Sequence, residues 1–164
     1  MHHQPQGPAF DVVLLLHVAC VVVGLATVVT SAATAARLRK LLATSAPLPE
    51  AIDRYFRPGT NWAGRAMYGI PIFGFVLLAM SHGAYGLGDG WVMIGLAIFV
   101  VVVLLAEGTL WPAERRLQVS LATYEGGAVV ASEPSLRDAR VMAYSATAAL
   151  VLLIAGSVLM VAQP

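Results

Sequence analysis

Four ionisable residues fall inside the long apolar runs of this 164-residue chain: His17, Arg65, His82 and Glu107. Such groups are rare at membrane depth and mark functional sites there by default. Neutral imidazole is a ligand for haem iron, copper or zinc. His17 comes seven residues after Phe10, roughly 10 Å into its run at 1.5 Å per residue. His82 stands four to six residues before the Gly86–Gly88 turn, roughly 6–9 Å deep by the same rise. Matched depth on neighbouring antiparallel helices predicts one outer-leaflet site for the two histidines, able to clamp a b-type haem or hold copper. The plainer reading is two interfacial histidines bonded to water or backbone.

Soft donors gather at the same depth. Cys20 lies nearly one turn beyond His17, and Met80, Met93 and Met160 are placed in the same leaflet. Thiolate, thioether and imidazole suit Cu(I), so the candidate metal set is His17, His82, Cys20 and Met80. Methionine is also a common gap-filler in cores. The amino end, Met1-His2-His3, offers a second, shorter copper-type pattern. Arg65 and Glu107 belong to the other side of the membrane. Each lies eight residues inward, from Arg57 and Arg115 respectively, which predicts a buried ion pair that holds the second helix against the third. A proton or quinone site is the alternative. No nucleophile-and-base set, phosphate loop or pair of metal carboxylates is apparent, and no residue is assigned a catalytic role.

The elements that position these residues follow from composition. Hydrophobic residues make up 59% of the chain and charged residues 12%, about half the charged share of a soluble domain. Four apolar runs, at about 10–36, 62–85, 91–111 and 141–162, approach or exceed the roughly 20 residues that cross a bilayer as a helix. Runs such as Ile98–Leu105 do not alternate, as a barrel strand would. The expected fold is all-α: a single membrane domain over residues 1–164, a four-transmembrane-helix bundle. One cysteine excludes an internal disulfide. The first run is too long for a secretory h-region and has no basic residue before it. A net charge of +1 gives no reason to expect nucleic acid as a partner.

Charge sets the orientation. Of ten Lys and Arg residues, six lie at or near the loop joining helices 1 and 2 and four lie between helices 3 and 4. The tails and the loop joining helices 2 and 3 have none. The positive-inside rule then places both termini outside. Trp62, Trp91 and Trp111 fall at span ends, where indole favours the interface.

Local signals add detail. Thr27, Ser31 and Ala35, with Gly24 and Ala32 nearby, make a small-residue seam on helix 1. Residues 49–56 can form a short amphipathic helix with Ile52, Tyr55 and Phe56 on one face. It either lies on lipid headgroups through Arg54 and Arg57 or folds onto the bundle. Pro71 frees a carbonyl in helix 2 and predicts a bend. Residues 83–90 form a tight hairpin. Helix 3 reaches Pro112 and can continue as an amphipathic segment to 124, ended by Gly126-Gly127. Helix 4 has Ser132 or Ser135 as its N-cap.

Three segments carry a family resemblance: Leu14-Leu15-Leu16-His17-Val18, then Asp53-Arg54-Tyr55-Phe56-Arg57-Pro58-Gly59, then the stretch from Ala106-Glu107-Gly108 through Trp111-Pro112 to Arg115-Arg116. Together the chain resembles a family of bacterial integral membrane proteins of unknown function. It is more distantly similar to copper-resistance D membrane domains and HemJ-type protoporphyrinogen oxidases, which share an early histidine in the first helix that His17 matches. The resemblance implies a bacterial cytoplasmic membrane location and haem or copper at His17. Two functions are expected to compete. One is redox or metal handling through His17 and His82. The other is a non-catalytic bundle acting as an accessory subunit or homo-oligomer in the lipid bilayer.

Overall fold

The computed structural model describes residues 7–122 and 132–162. The fold is all-α, with no strand among the described residues. Helix α1 spans Pro8–Thr44, α2 Glu50–Tyr55, α3 Trp62–Arg65, α4 Gly69–Met80, α5 Gly90–Leu105, α6 Trp111–Ala122 and α7 Glu133–Ala162. A 3₁₀ turn, Ala66–Tyr68, joins α3 to α4, and a π-helical turn, Ala106–Leu110, joins α5 to α6. Four stretches are long and apolar enough to cross a membrane: Pro8–Thr44, Trp62–Met80, Gly90–Ala122 and Glu133–Ala162. Leu15, Val22, Ile72, Leu104 and Val151 are exposed on them. Apolar surface this continuous is what a bilayer covers.

The contacts divide into two compact units. The first holds the described residues of Met1–Thr27, Asn61–Val102 and Val151–Pro164. Glycines let its helices approach closely. A β-carbon at Gly24 would lie 3.6 Å from Met67 Cβ, one at Gly95 would meet Met160 Cε, and one at Gly69 would meet Cys20 Sγ. Pro71 is the third residue of α4. Its missing N–H is therefore one that the first turn leaves unpaired anyway, and the irregular backbone is taken up by the 3₁₀ turn just before it.

The second unit is Val28–Thr60 with Val103–Leu150. On α1, Val28, Ser31, Ala35, Leu38 and Leu42 are buried at alternating steps of three and four, the spacing that keeps one stripe facing its neighbours. Ser135, Ala139, Met142, Ala146 and Ala149 repeat the pattern on α7. The seam expected at Ser31 and Ala35 is thus part of the core. Ile52 and Phe56 of α2 are buried, and Tyr55 Oη lies 2.8 Å from Ser31 Oγ. The short helix folds onto protein through the face expected of it. Ser132 Oγ accepts the Ser135 amide at 3.3 Å, which makes Ser132 the N-cap of α7.

One boundary differs from the sequence reading. The second long helix stops at Met80 rather than near 85. His82 and Gly83 take φ of 48° and 86°, the left-handed conformation that ends helices. Ser81 Oγ holds the turn, 2.8 Å from the Leu78 carbonyl oxygen and 2.9 Å from that of Tyr85. The third long helix passes Pro112 by means of the π turn, in which the Trp111 amide donates to the Ala106 carbonyl five residues back. The extra residue accommodates a proline that cannot donate. Gly126-Gly127 lie outside the described residues.

Candidate functional site

The first unit contains a cavity of about 330 Å³. Its wall is built by α1 through Phe10, Leu14, His17 and Val18, and by α4 from Ile70 to Leu78. Tyr85 and Leu87 come from the hairpin, Trp91 to Phe99 from α5, and Met160 and Val161 from the end of α7. On α1 the positions follow from helical spacing: Phe10, Leu14, His17 and Val18 share one face. Asp89 Oδ2 accepts the Gly86 amide at 2.8 Å and closes the hairpin. Tyr85 and Trp91 meet edge to face with ring centroids 5.7 Å apart, which fixes two rings of the wall.

His17 is the one residue of the wall with an imidazole. Its ring lies against Gly74, where a β-carbon would stand 3.4 Å from Cε1 and 3.7 Å from Nδ1. The absence of a side chain at Gly74 is what gives the ring its place. Nδ1 is buried and has no hydrogen-bond partner. Leaving such a group unpaired costs about 1–3 kcal/mol. The chamber is mostly apolar, with His17, Tyr85 and Trp91 as the side chains of its wall that carry N–H or O–H groups. Leu14, Phe75 and Leu87 are both lining residues and exposed, so the chamber opens on the apolar surface.

The other expected ligands are elsewhere. His82 is exposed, lies in the turn beyond α4, and does not line the cavity. The early end of α4 places His82 in the turn, so the cavity wall brings in His17 without it. Cys20 points its sulfur at Gly69, and Met80 ends α4; neither lines the cavity. Among the described residues, no three His, Cys, Asp or Glu side chains are grouped as a metal site. Of the four residues expected to hold a metal, the cavity wall includes His17 and not His82, Cys20 or Met80. Met1-His2-His3 lies outside the described residues.

Arg65 ends α3 in the first unit and is half-buried. Glu107 sits in the π turn of the second and is exposed. The buried residues of that turn are Ala106 and Leu110. Both residues are engaged in polar interactions.

Several polar residues escaped the sequence reading. Glu114 and Gln118 are buried on α6. They continue the buried face of Trp111 in steps of three and four. That spacing was the available signal. In the same unit Thr109 Oγ1 lies 2.8 Å from Ser145 Oγ, and Gln118 Nε2 donates to the Gly59 carbonyl at 3.4 Å. The aromatic wall was missed too, because Phe10 is far along the chain from Tyr85, Trp91 and Phe99.

Fold and apolar surface together define a multi-pass membrane protein. No protein-family model, curated protein or solved structure matches the chain.

Proposed function

We propose that the protein binds a small apolar ligand drawn from the bilayer, seated in the cavity with His17 as its polar contact. The apolar wall with the His17 ring set in it carries this reading: the wall supplies affinity, and the imidazole is a polar group that can orient the ligand. Native mass spectrometry of protein extracted from its own membrane tests the reading. The expected result is a bound adduct that is lost in Leu14→Trp, which fills the chamber, and weakened in His17→Leu. An adduct insensitive to both variants, or none, would overturn it.

A second reading keeps haem or copper, but with a different donor pair. The thioether of Met160 lines the same cavity as His17, and imidazole with thioether suits both haem iron and Cu(I). This reading expects a Soret band or stoichiometric copper that disappears in His17→Leu and in Met160→Leu. A colourless, metal-free preparation that still carries the lipid adduct rejects it.

A further inference from the structure

We infer that Arg137, Arg140 and Tyr144 of α7 form a seat for the headgroup of an anionic phospholipid, a second site that shares no residue with the cavity. The three residues stand at steps of three and four and are all exposed, so they share one face of the helix. That face runs on through Ala148, Val151, Ala155 and Val158, which are exposed as well. It lies opposite the buried stripe that begins at Ser135 and Ala139. The apolar part of the face is what a bilayer covers, and the two arginines stand at one end of it. Ala162 lies 22 residues beyond Arg140, roughly 33 Å at 1.5 Å per residue, close to the roughly 30 Å of a hydrocarbon core. With the apolar stripe in lipid, both guanidinium groups are therefore at headgroup level. The Tyr144 ring, about one turn further in, takes the interfacial position that suits an aromatic ring with a polar end.

Charge identifies the partner. Among the described residues neither Arg137 nor Arg140 forms an ion pair. Asp138, next to Arg137 in sequence, is already engaged. Arg116 of α6 donates to it through Nε, 3.0 Å from both carboxylate oxygens, and its Nη2 lies 2.9 Å from Oδ1. Glu133, four residues before Arg137 on α7, is exposed and forms no ion pair with it. Two cations on one face are thus left without a carboxylate partner among the described residues. A phosphodiester supplies the missing charge: its free oxygens match the guanidinium fork, and Tyr144 Oη adds a hydroxyl donor. The acyl chains then lie along Val151 and Val158, a contact that a free phosphate lacks. A zwitterionic lipid carries the same phosphate, but its ammonium group also meets the two arginines. An anionic headgroup leaves the attraction uncancelled.

Native mass spectrometry of the full chain tests the seat, with delipidated protein in detergent titrated with phosphatidylglycerol or with phosphatidylcholine of identical acyl chains. A basic side chain at an anionic surface contributes about fivefold, so two arginines should make the first lipid bind roughly twentyfold more tightly than the second. Arg137→Gln/Arg140→Gln should remove the preference, and Tyr144→Phe should weaken phosphatidylglycerol binding severalfold. Arg37→Gln/Lys40→Gln, which deletes the same charge from exposed positions of α1, should retain the preference. Inorganic phosphate at millimolar concentration should not displace the lipid. Equal binding of the two lipids by the unaltered chain would overturn the inference, and that comparison holds even where a variant fails to fold. A preference that survives the loss of both arginines would overturn it too. So would a preference lost equally in the α1 variant, which would make it a property of net charge. Displacement by inorganic phosphate would show an anion site without need of acyl chains and would overturn the lipid assignment.

Discussion

Cys20 turns its sulfur onto Gly69, into the space that a β-carbon at position 69 would occupy. The contact brings α1 and α4 together within the first unit, and it leaves no slack on the Gly69 side. Gly69→Ala should therefore destabilise the protein by about 1–3 kcal/mol, the usual range for overpacking. Cys20→Ala removes the colliding atom, so Cys20→Ala/Gly69→Ala should melt closer to the unaltered protein than Gly69→Ala does. Thermal unfolding in detergent measures all three. Independent, additive effects would show that the two residues do not share the space.

Thr109 Oγ1 lies 2.7 Å from the Leu105 carbonyl oxygen and 2.8 Å from Ser145 Oγ. Interhelical hydrogen bonds of this kind in membrane proteins average about 0.6 kcal/mol. Thr109→Val keeps the shape and removes the hydroxyl, so it should cost about that amount. Ser145→Ala should add little once Thr109 is valine. A double-mutant cycle in detergent checks the coupling, and a coupling energy near zero would mean the contact contributes nothing.

Much of this architecture is legible in the sequence because it depends on long-wavelength patterns. Four apolar runs, the glycines and aspartate of the hairpin, Ser132 as a cap and the stripe through Ser31 and Ala35 are local signals, and each reappears in the structure. The site was legible only in part. His17 stands out by being an imidazole in an apolar run. Its supposed partner was misplaced because the end of α4 depends on two consecutive left-handed residues, His82 and Gly83, and only the second is a type that announces such a conformation. Phe10, Tyr85, Trp91, Phe99 and Met160 meet through tertiary packing, which no single stretch of sequence encodes. Glu114 lies in the segment read as amphipathic, and its burial depends on what α6 packs against rather than on its own residue type.

Orientation rests on charge alone and is open to a direct check. In a Cys20→Ala background, single cysteines are introduced at Gly88, in the hairpin free of basic residues, and at Ala51, on α2 among several arginines. The positive-inside bias predicts that a membrane-impermeant maleimide labels the first in intact cells and the second only after lysis. The reverse pattern would place the hairpin in the cytoplasm and move the cavity to the opposite leaflet.

The sharpest contrast is between the two histidines. His17 lines the cavity, whereas His82 is exposed at φ 48° in the turn after α4. A residue with a β-carbon pays about 1–2 kcal/mol to adopt the left-handed conformation, and glycine is free of that strain but loses more backbone entropy on folding. His82→Gly should therefore leave stability unchanged or raise it by up to about 1 kcal/mol, and it should leave ligand content untouched. His17→Leu should do the opposite: little loss of stability, since an unsatisfied buried nitrogen is replaced by an apolar group, and a clear loss of bound ligand. Parallel melting curves and mass spectra of the two variants measure both effects. If His82→Gly empties the site as His17→Leu does, the two histidines act on one ligand after all, and the turn must bring His82 to the cavity when that ligand is bound.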